Sequence, residues 1–576
     1  MSDSDAVHLL RLNMARLTAQ PEPLSEDYAR WGGRGLTAAI LNREVPPACD
    51  PLGRSNKLIL APGLLAARGA QASSAGRISI GAKSPLTGGI KESNAGGNAA
   101  GNLVRLGLRA VIIEGKPEPE RLYLVRIGAE GCEFLPADEY RGLGNYALAE
   151  KLLARFGARN TLVLLGPAGE MRLKAAGIAL TDRDGNPGRL AARGGLGAVM
   201  GSKGLKAIVI EETSKKAPPA ANPESLKQAI RRYTTGLRED YYTSTVFPEI
   251  GTPYMVAPMQ KLGGLPTRNF RAGAFEDLSE LDGQAVRETI RRRGGAGKTT
   301  HACMSGCVLR CSNVVPDAGG GAIVAPIEYE SMVMLGPNLG IGSLDAVARF
   351  NRRCNDLGLD AVDVGGAIGV AMDAGQLAFG DVEGVFGLLD EIERGSVSGR
   401  VIGHGAATAG SVFGLARTPV VKGQCIAAYD PRAVKGLGVT YATSPMGADH
   451  TAGHTADFPV DHHSPEGKAE LSRRAQITAA AWDTLGLCSF VTGATAPQME
   501  VVVEMLRALA GGEFPADYVS QLGCDVLQME RDFNRAAGFT PAHDRLPEFF
   551  KTEALPPFNL VFDVSDQDLD SVFNWE

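Results

Sequence analysis

The chain has 576 residues, 44 % of them hydrophobic and 22 % charged, with a formal net charge of −6. That is the profile of a globular protein of several domains with ample core. It excludes a disordered or collagen-like chain. Both signs of charge are spread along the sequence, and the one basic block is the short RRR at 291–293, which gives no reason to expect nucleic acid. No apolar stretch is long enough to span a bilayer, and MSDSDAVHLLRLN lacks the basic start and apolar run of a signal peptide. The expected compartment is the cytoplasm. Nine cysteines in a chain this long do not make a disulfide framework.

Taken in order, residues 1–212 read as strands and turns. LILAPG (58–63), RAVIIEG (109–115), RLYLVRIG (121–128) and KAIVIEE (206–212) are short runs rich in β-formers, closed by turn or polar residues. EETSKKAPPAANPES, 211–225, is polar and rich in Pro and Ser, as a linker would be. Helices follow: SLKQAIRRYTTGLRED, AVRETIRRR, and SLDAVARFNRRCNDLG with Ser343 as N-cap and Gly358 as stop. Beyond residue 423, EGKAELSRRAQITAAAWDTLG and QMEVVVEMLRALAGG are helical. The pattern predicts an α+β protein: a β-rich N-terminal domain over 1–212 and two mainly α-helical domains over 213–422 and 423–576.

The chemistry concentrates in a few places. ACMSGCVLRC sets Cys303, Cys307 and Cys311 four residues apart. Met, Ser, Gly and Arg interleave with them, which suits a loop wrapped around a compact object. Zinc takes four N/S ligands and a cubane iron–sulfur cluster four thiolates. Cys488 in WDTLGLCSF is the candidate fourth ligand, with Cys354, Cys425 and Cys524 as rivals. NDLGLD (355–360) and DTLGLC (483–488) share a Gly-Leu turn with a polar residue three places before the glycine, Asn355 and Asp483. Two ordinary helix ends would look the same. So would two grips on related halves of one ligand.

There are 72 glycines. Many lie in two loops, 84–102 and 183–204, which carry Lys91, Asn94, Arg189 and Arg193. Backbone N–H groups and arginines can cradle phosphate. RRRGGAGKTT has Arg292 where a phosphate-binding P-loop needs its first glycine, so it reads as a basic loop. EYES places Glu328 and Glu330 on one face if it is a strand. DHTAGH supplies Asp449, His450 and His454, and these groups suit proton transfer beside a redox centre.

Together, KSPLTGG, RGGLGAVMGSKGLKAI, EYES…LGPNLGI, NDLGLD, YDPR…YATS and DTLGLC resemble, in order, the tungsten-containing aldehyde:ferredoxin oxidoreductase family, across nearly the whole chain. The resemblance implies tungsten (or molybdenum) held by two pterins at the domain interface, with Mg2+ bridging their phosphates. It also implies a [4Fe–4S] cluster bound by Cys303, Cys307, Cys311 and Cys488, and oxidation of a small aldehyde to its acid. Electrons would pass through the cluster to ferredoxin or a ferredoxin-like subunit.

Arg77 matches an arginine between pterin and cluster, and Asn94 and the Leu190 carbonyl match magnesium–phosphate contacts. Asn355, Asp360, Asp483 and the Leu487–Cys488 turn match the pterin-gripping motifs. Glu330 matches the general acid/base, and His450 a hydrogen-bond donor to substrate. Three departures stand out. Met304, Ser305 and Gly306 separate the first two cysteines, where two residues are usual. Asn355 replaces an aspartate. Arg349 and Arg352 stand where some members carry a Glu-x-x-His iron bridge between subunits, which excludes that bridge but not a homodimer. The alternatives are a catalytic subunit of a larger complex reducing aromatic acyl-CoA or acids, and a pure iron–sulfur electron carrier.

Overall fold

The computed structural model describes residues 7–66, 72–215 and 217–574. The first residues of MSDSDAVHLLRLN and Lys216 of the linker lie outside the described residues. Twelve strands build two sheets at the N-terminal end. The first holds β1 (His8–Asn13), β2 (Thr18–Pro23), β3 (Leu58–Pro62), β4 (Ile78–Lys83), β5 (Ile90–Ala95) and β6 (Leu108–Glu114). The second holds β7 (Tyr123–Gly128), β8 (Gly131–Pro136), β9 (Thr161–Leu164), β10 (Ile178–Leu180), β11 (Arg189–Ala191) and β12 (Leu205–Ile210).

Their orders are β2-β1-β6-β3-β4-β5 and β11-β10-β9-β12-β7-β8. Read from the other edge, the second is the first with six added to every strand. Each sheet has a hairpin whose first strand pairs in parallel with the sheet's last strand, after one register slip. The remaining ladders are antiparallel in both. The domain is thus an internal repeat. Its sequence trace is short: GLRAVIIE (107–114) and GLKAIVIE (204–211).

The strands alternate their faces, as a pleat requires. Val111 and Ile113 join Val125, Ile127, Val163, Ile178 and Ile208 in a core between the sheets. Ala110 and Ile112 face the other way, with Leu36, Ile40 and Leu41 of the helix Gly33–Glu44. Burial on both faces explains why RAVIIEG reads as an unbroken apolar run.

Helices follow the strands. The Gly33–Glu44 helix packs on Lys468–Leu485 and Tyr518–Ala536, and Pro223–Glu239 packs on Met499–Ala510. The helix Leu344–Leu357 starts after Ser343 and stops at Gly358, whose φ is 75°. EYES is not a strand, so the condition for Glu328 and Glu330 to share a face is not met. Tyr329–Met334 is a helix that Glu328 caps, with Ser331 returning a bond to the Glu328 backbone. RRRGGAGKTT runs from the end of the helix Gly283–Arg293 into the strand Lys298–His301. That is the reverse of the strand-to-helix order of a phosphate-binding loop.

Candidate active site

The edge strands β5 and β11 of the two sheets lie side by side. This seam carries Asn94 on one strand and Arg189 and Leu190 on the other. Each Gly-Leu turn of the helical region is sewn to one sheet. For DTLGLC, Leu64 and Leu65 donate to the Thr484 and Leu485 carbonyls, Arg77 N donates to Gly486 O at 3.2 Å, and Cys488 N to Ser74 O at 2.9 Å. For NDLGLD, Gly177 N donates to Gly358 O at 2.8 Å and Asp360 N to Ala175 O at 2.8 Å. Gly63 after β3 and Gly166 after β9 make the room: a Cβ on either would stand 2.2–2.3 Å from backbone atoms of its turn. The internal repeat therefore extends to the turns it holds. Asp360 occupies in one half the place of Cys488 in the other.

The four cysteines come together. Residues 302–310 form a loop, not a helix. Ser73 Oγ accepts from Val308 N at 3.0 Å, and Ser74 Oγ lies 3.4 Å from Cys307 Sγ, so one short segment holds the triplet and Cys488. The Cys303 thiol hydrogen-bonds to Cys307, which raises the Cys303 pKa and lowers that of Cys307. Burial raises Cys311 and Cys488, with Cys307 adding to both and Arg77 opposing at Cys488. Met304 is buried, and Ser305 and Gly306 are exposed: the extra residue is taken up in an outward turn. Cys354 and Cys425 are buried elsewhere, the latter against Gly366 and Arg193. All nine cysteines are free. Among the described residues, no three His, Cys, Asp or Glu groups converge as ligands of one metal ion. A cubane does not ask for that, because each thiolate meets its own iron.

Arg77 links the cysteines to the seam. It hydrogen-bonds Asn94 through Nε and through Nη2 to the carbonyl at 3.3 Å. Asn94 Nδ2 donates to Asp483 Oδ1 at 2.9 Å. Arg34, wholly buried, binds Glu530 with two bonds of 2.7 Å and reaches Asp483 at 3.3 Å. Burial still raises the Asp483 pKa, against Arg34 and Arg77. On the other half, Arg193 Nε lies 3.5 Å from Asp360 Oδ2. Asn355 lends its carbonyl to Asn145 at 2.8 Å. Lys91 is ion-paired to Asp449 at 2.6 Å, so its charge is already matched. Arg352 lies over the Tyr146 ring at 4.0 Å.

The expected metal and pterin groups can be tested against these residues. Arg189 Nε, Arg193 Nε and Nη1, and Asp360 Oδ2 are buried with no hydrogen-bond partner among the described residues. Buried polar atoms are ordinarily paired. Guanidinium donors in this state fit phosphate oxygens, and the four thiols fit a cubane. The residues present fit the groups.

Glu328, the extended N-cap, and Glu330, in the first turn of the helix, take different partners. Glu328 Oε2 accepts from the Thr252 hydroxyl at 2.6 Å, and Oε1 lies 3.6 Å from Arg189, on the cysteine side. Burial raises its pKa. Glu330 Oε1 lies 2.9 Å from His450 Nε2 and accepts from Tyr429 at 3.4 Å. Burial pushes the Glu330 pKa up, but the His450 charge and hydrogen bond outweigh it and the pKa is lowered. A site that favours the neutral carboxyl is therefore found at Glu328 and not at Glu330. Thr252, Ser73 and Ser74 are parts of the site that no motif marked, and Tyr429 opens the YDPR motif with no role assigned to it from sequence.

Family models match the chain over most of its length: "Aldehyde ferredoxin oxidoreductase, N-terminal domain" over 9–212 and "domains 2 & 3" over 228–570. The chain belongs to the aldehyde ferredoxin oxidoreductase family. It is 32 % identical to the tungsten-containing aldehyde ferredoxin oxidoreductases of Thermococcus kodakarensis and Pyrococcus furiosus, covering 95 % of this chain and 91 % of each relative. It is 26 % identical to the WOR-like subunit of an aliphatic sulfonate oxidoreductase of Pyrococcus furiosus, over 91 % of this chain and 85 % of that one. Among solved structures, the active-site complex BamBC of benzoyl coenzyme A reductase with 1,5-dienoyl-CoA shares the fold. Its TM-score is 0.79 at 20 % identity, with 94 % of this chain and 91 % of that one covered. Members of the family are oxidoreductases. No helix among the described residues is long and apolar enough to cross a membrane.

Proposed function

We propose that this chain oxidises aldehydes to carboxylic acids at a tungsten (or molybdenum) bis-pterin centre and passes electrons through a [4Fe–4S] cluster to ferredoxin or a ferredoxin-like subunit. The observation that carries this reading is the joining of four thiols to a seam of unpaired guanidinium donors through Arg77 and Asn94. Cys303, Cys307, Cys311 and Cys488 would hold the cluster. Arg189, Arg193, Asn355, Asp360, Asp483 and Leu487 would hold the pterins, and Asn94 and the Leu190 carbonyl would face Mg2+ and the pterin phosphates. The tungsten pterin supplies the two-electron chemistry when bound, and the cluster carries electrons away.

The protein's own part is binding, orientation and proton handling. Glu330 takes and returns a proton at Oε1. His450 shares that proton through Nε2 and donates to the substrate carbonyl. Tyr429 and His450 together hold the Glu330 carboxylate. Nine free cysteines suit the reducing cytoplasm.

The test is metal analysis and turnover of protein made anaerobically with tungstate. About four irons and one tungsten or molybdenum per chain are expected, with aldehyde-dependent reduction of ferredoxin. Zinc without iron would overturn the reading. Reduction of an aromatic acyl-CoA without aldehyde oxidation would move the chain to a larger complex.

A further inference from the structure

Oxidising an aldehyde with water to a carboxylic acid releases two electrons and two protons. The cysteines account for the electrons. The protons start at Glu330 and His450, whose side chains are only 18 % and 17 % exposed, and they need a separate way out.

One cluster of side chains leads from that pair to the surface. The Tyr429 ring packs beside both histidines, with centroids 5.9 Å from His450 and 5.1 Å from His454. The two imidazole centroids are 6.1 Å apart, a span one bridging water covers. Nδ1 of both His450 and His454 is buried and without a hydrogen-bond partner among the described residues. His454 Nε2 reaches Asp457 Oδ2 at 3.3 Å, and the Asp457 side chain is 53 % exposed. Tyr254 donates to Asp457 Oδ1 at 3.0 Å and fixes its orientation. His454 is therefore a two-ended imidazole with one nitrogen toward the interior and the other on a carboxylate at the surface.

We propose that His454 and Asp457 form the proton path from the Glu330–His450 pair to solvent. This rests on the functional reading above. In each passage His454 gains a proton at Nδ1 and gives one from Nε2 to Asp457, which releases it to water. Only N–H and O–H bonds form and break, and no electrons move. An imidazole suits this because its two nitrogens can be donor and acceptor in turn. The groups facing His454 are Asp457, Glu330, His450 and Tyr429, and Asp457 also faces Tyr254 and His462. Burial lowers the His454 pKa, but Asp457 and Glu330 more than restore it and it ends raised.

The experiment uses the metal-loaded enzyme with His454→Gln and Asp457→Asn. Turnover should fall about 10²-fold in His454→Gln and less in Asp457→Asn, with KM, iron and tungsten unchanged. The solvent deuterium isotope effect on kcat should rise in both, and added imidazole should restore turnover to His454→Ala. The His454 titration, followed by histidine NMR, should move down in Asp457→Asn. Unchanged kcat and isotope effect would overturn the proposal. So would a raised KM at unchanged kcat, which would make these residues the lining of the substrate entrance. Wild-type enzyme with no aldehyde turnover would overturn the functional reading instead, before any substitution is made.

Discussion

Gly63 and Gly486 meet backbone to backbone: a Cβ on Gly63 would stand 2.2 Å from the Gly486 Cα. The contact locks the DTLGLC turn to the first sheet, as Gly166 locks NDLGLD to the second. Gly63→Ala and Gly166→Ala should each force the turn off its sheet and lower both folding yield and cofactor content. Gly387 is the control. It is exposed in the middle of the helix Val382–Arg394, with nothing within 4 Å of its Cβ position. Gly387→Ala should stabilise by about 1 kcal/mol. Thermal melts and bound iron distinguish the two kinds of site, and normal iron in Gly63→Ala would refute the locking role.

Cys488 completes the thiol set through its backbone bond to Ser74 and its nearness to Cys307. Cys488→Ala should lose or degrade the cluster, read as iron content and the EPR signal of the reduced protein. Cys49→Ala and Cys132→Ala should keep it, because neither lies near the triplet. An unchanged spectrum in Cys488→Ala would reassign the fourth ligand.

Much of this was legible in the sequence. Gly358 and Gly486 mark helix stops, and RAVIIEG marks a buried strand. What was not legible depended on distance or on local competition. Arg34 and Glu530 are 496 residues apart, and nothing in either segment announces the pair. EYES carries no clear strand or helix signal of its own, and the Glu328–Ser331 cap makes it a helix start. GLRAVIIE and GLKAIVIE carry the repeat over only eight residues, too short a match to predict two like sheets. The shared strand order makes it plain.

Glu328 and Glu330 should respond oppositely to pH. The Glu330 pKa is lowered, so its pairing with His450 stabilises the fold above the ordinary carboxylate range. That stability is lost as pH falls through the lowered value. The Glu328 pKa is raised, so its ionisation costs stability as pH rises through the raised value. Melting curves from about pH 2.5 to about pH 8, which extend well to both sides of the ordinary glutamate value of about 4.3, provide the check. Glu330→Gln should melt below wild type at the alkaline end. Glu328→Gln should melt at or above wild type there, with the difference vanishing in acid. In turnover, Glu330→Gln should lose about 10²–10⁴-fold with its metals intact, and Glu328→Gln should lose less. The reverse order of losses would move the acid/base role to Glu328.

Arg34 carries the last prediction. Its guanidinium is fully buried, doubly bonded to Glu530 and bonded once to Asp483, the polar residue of the DTLGLC turn. Arg34→Met leaves the Glu530 carboxylate buried without its partner, which typically costs about 3–5 kcal/mol. Arg34→Lys should recover little, because an ammonium cannot make the two parallel bonds to Glu530 and still reach Asp483. Arg34→Met with Glu530→Leu removes both charges, and should regain most of the stability in denaturant unfolding. It should not regain cofactor retention, because Asp483 then loses the cation that orients it toward Asn94. Stability and retention recovering together would show that Arg34 serves the fold alone.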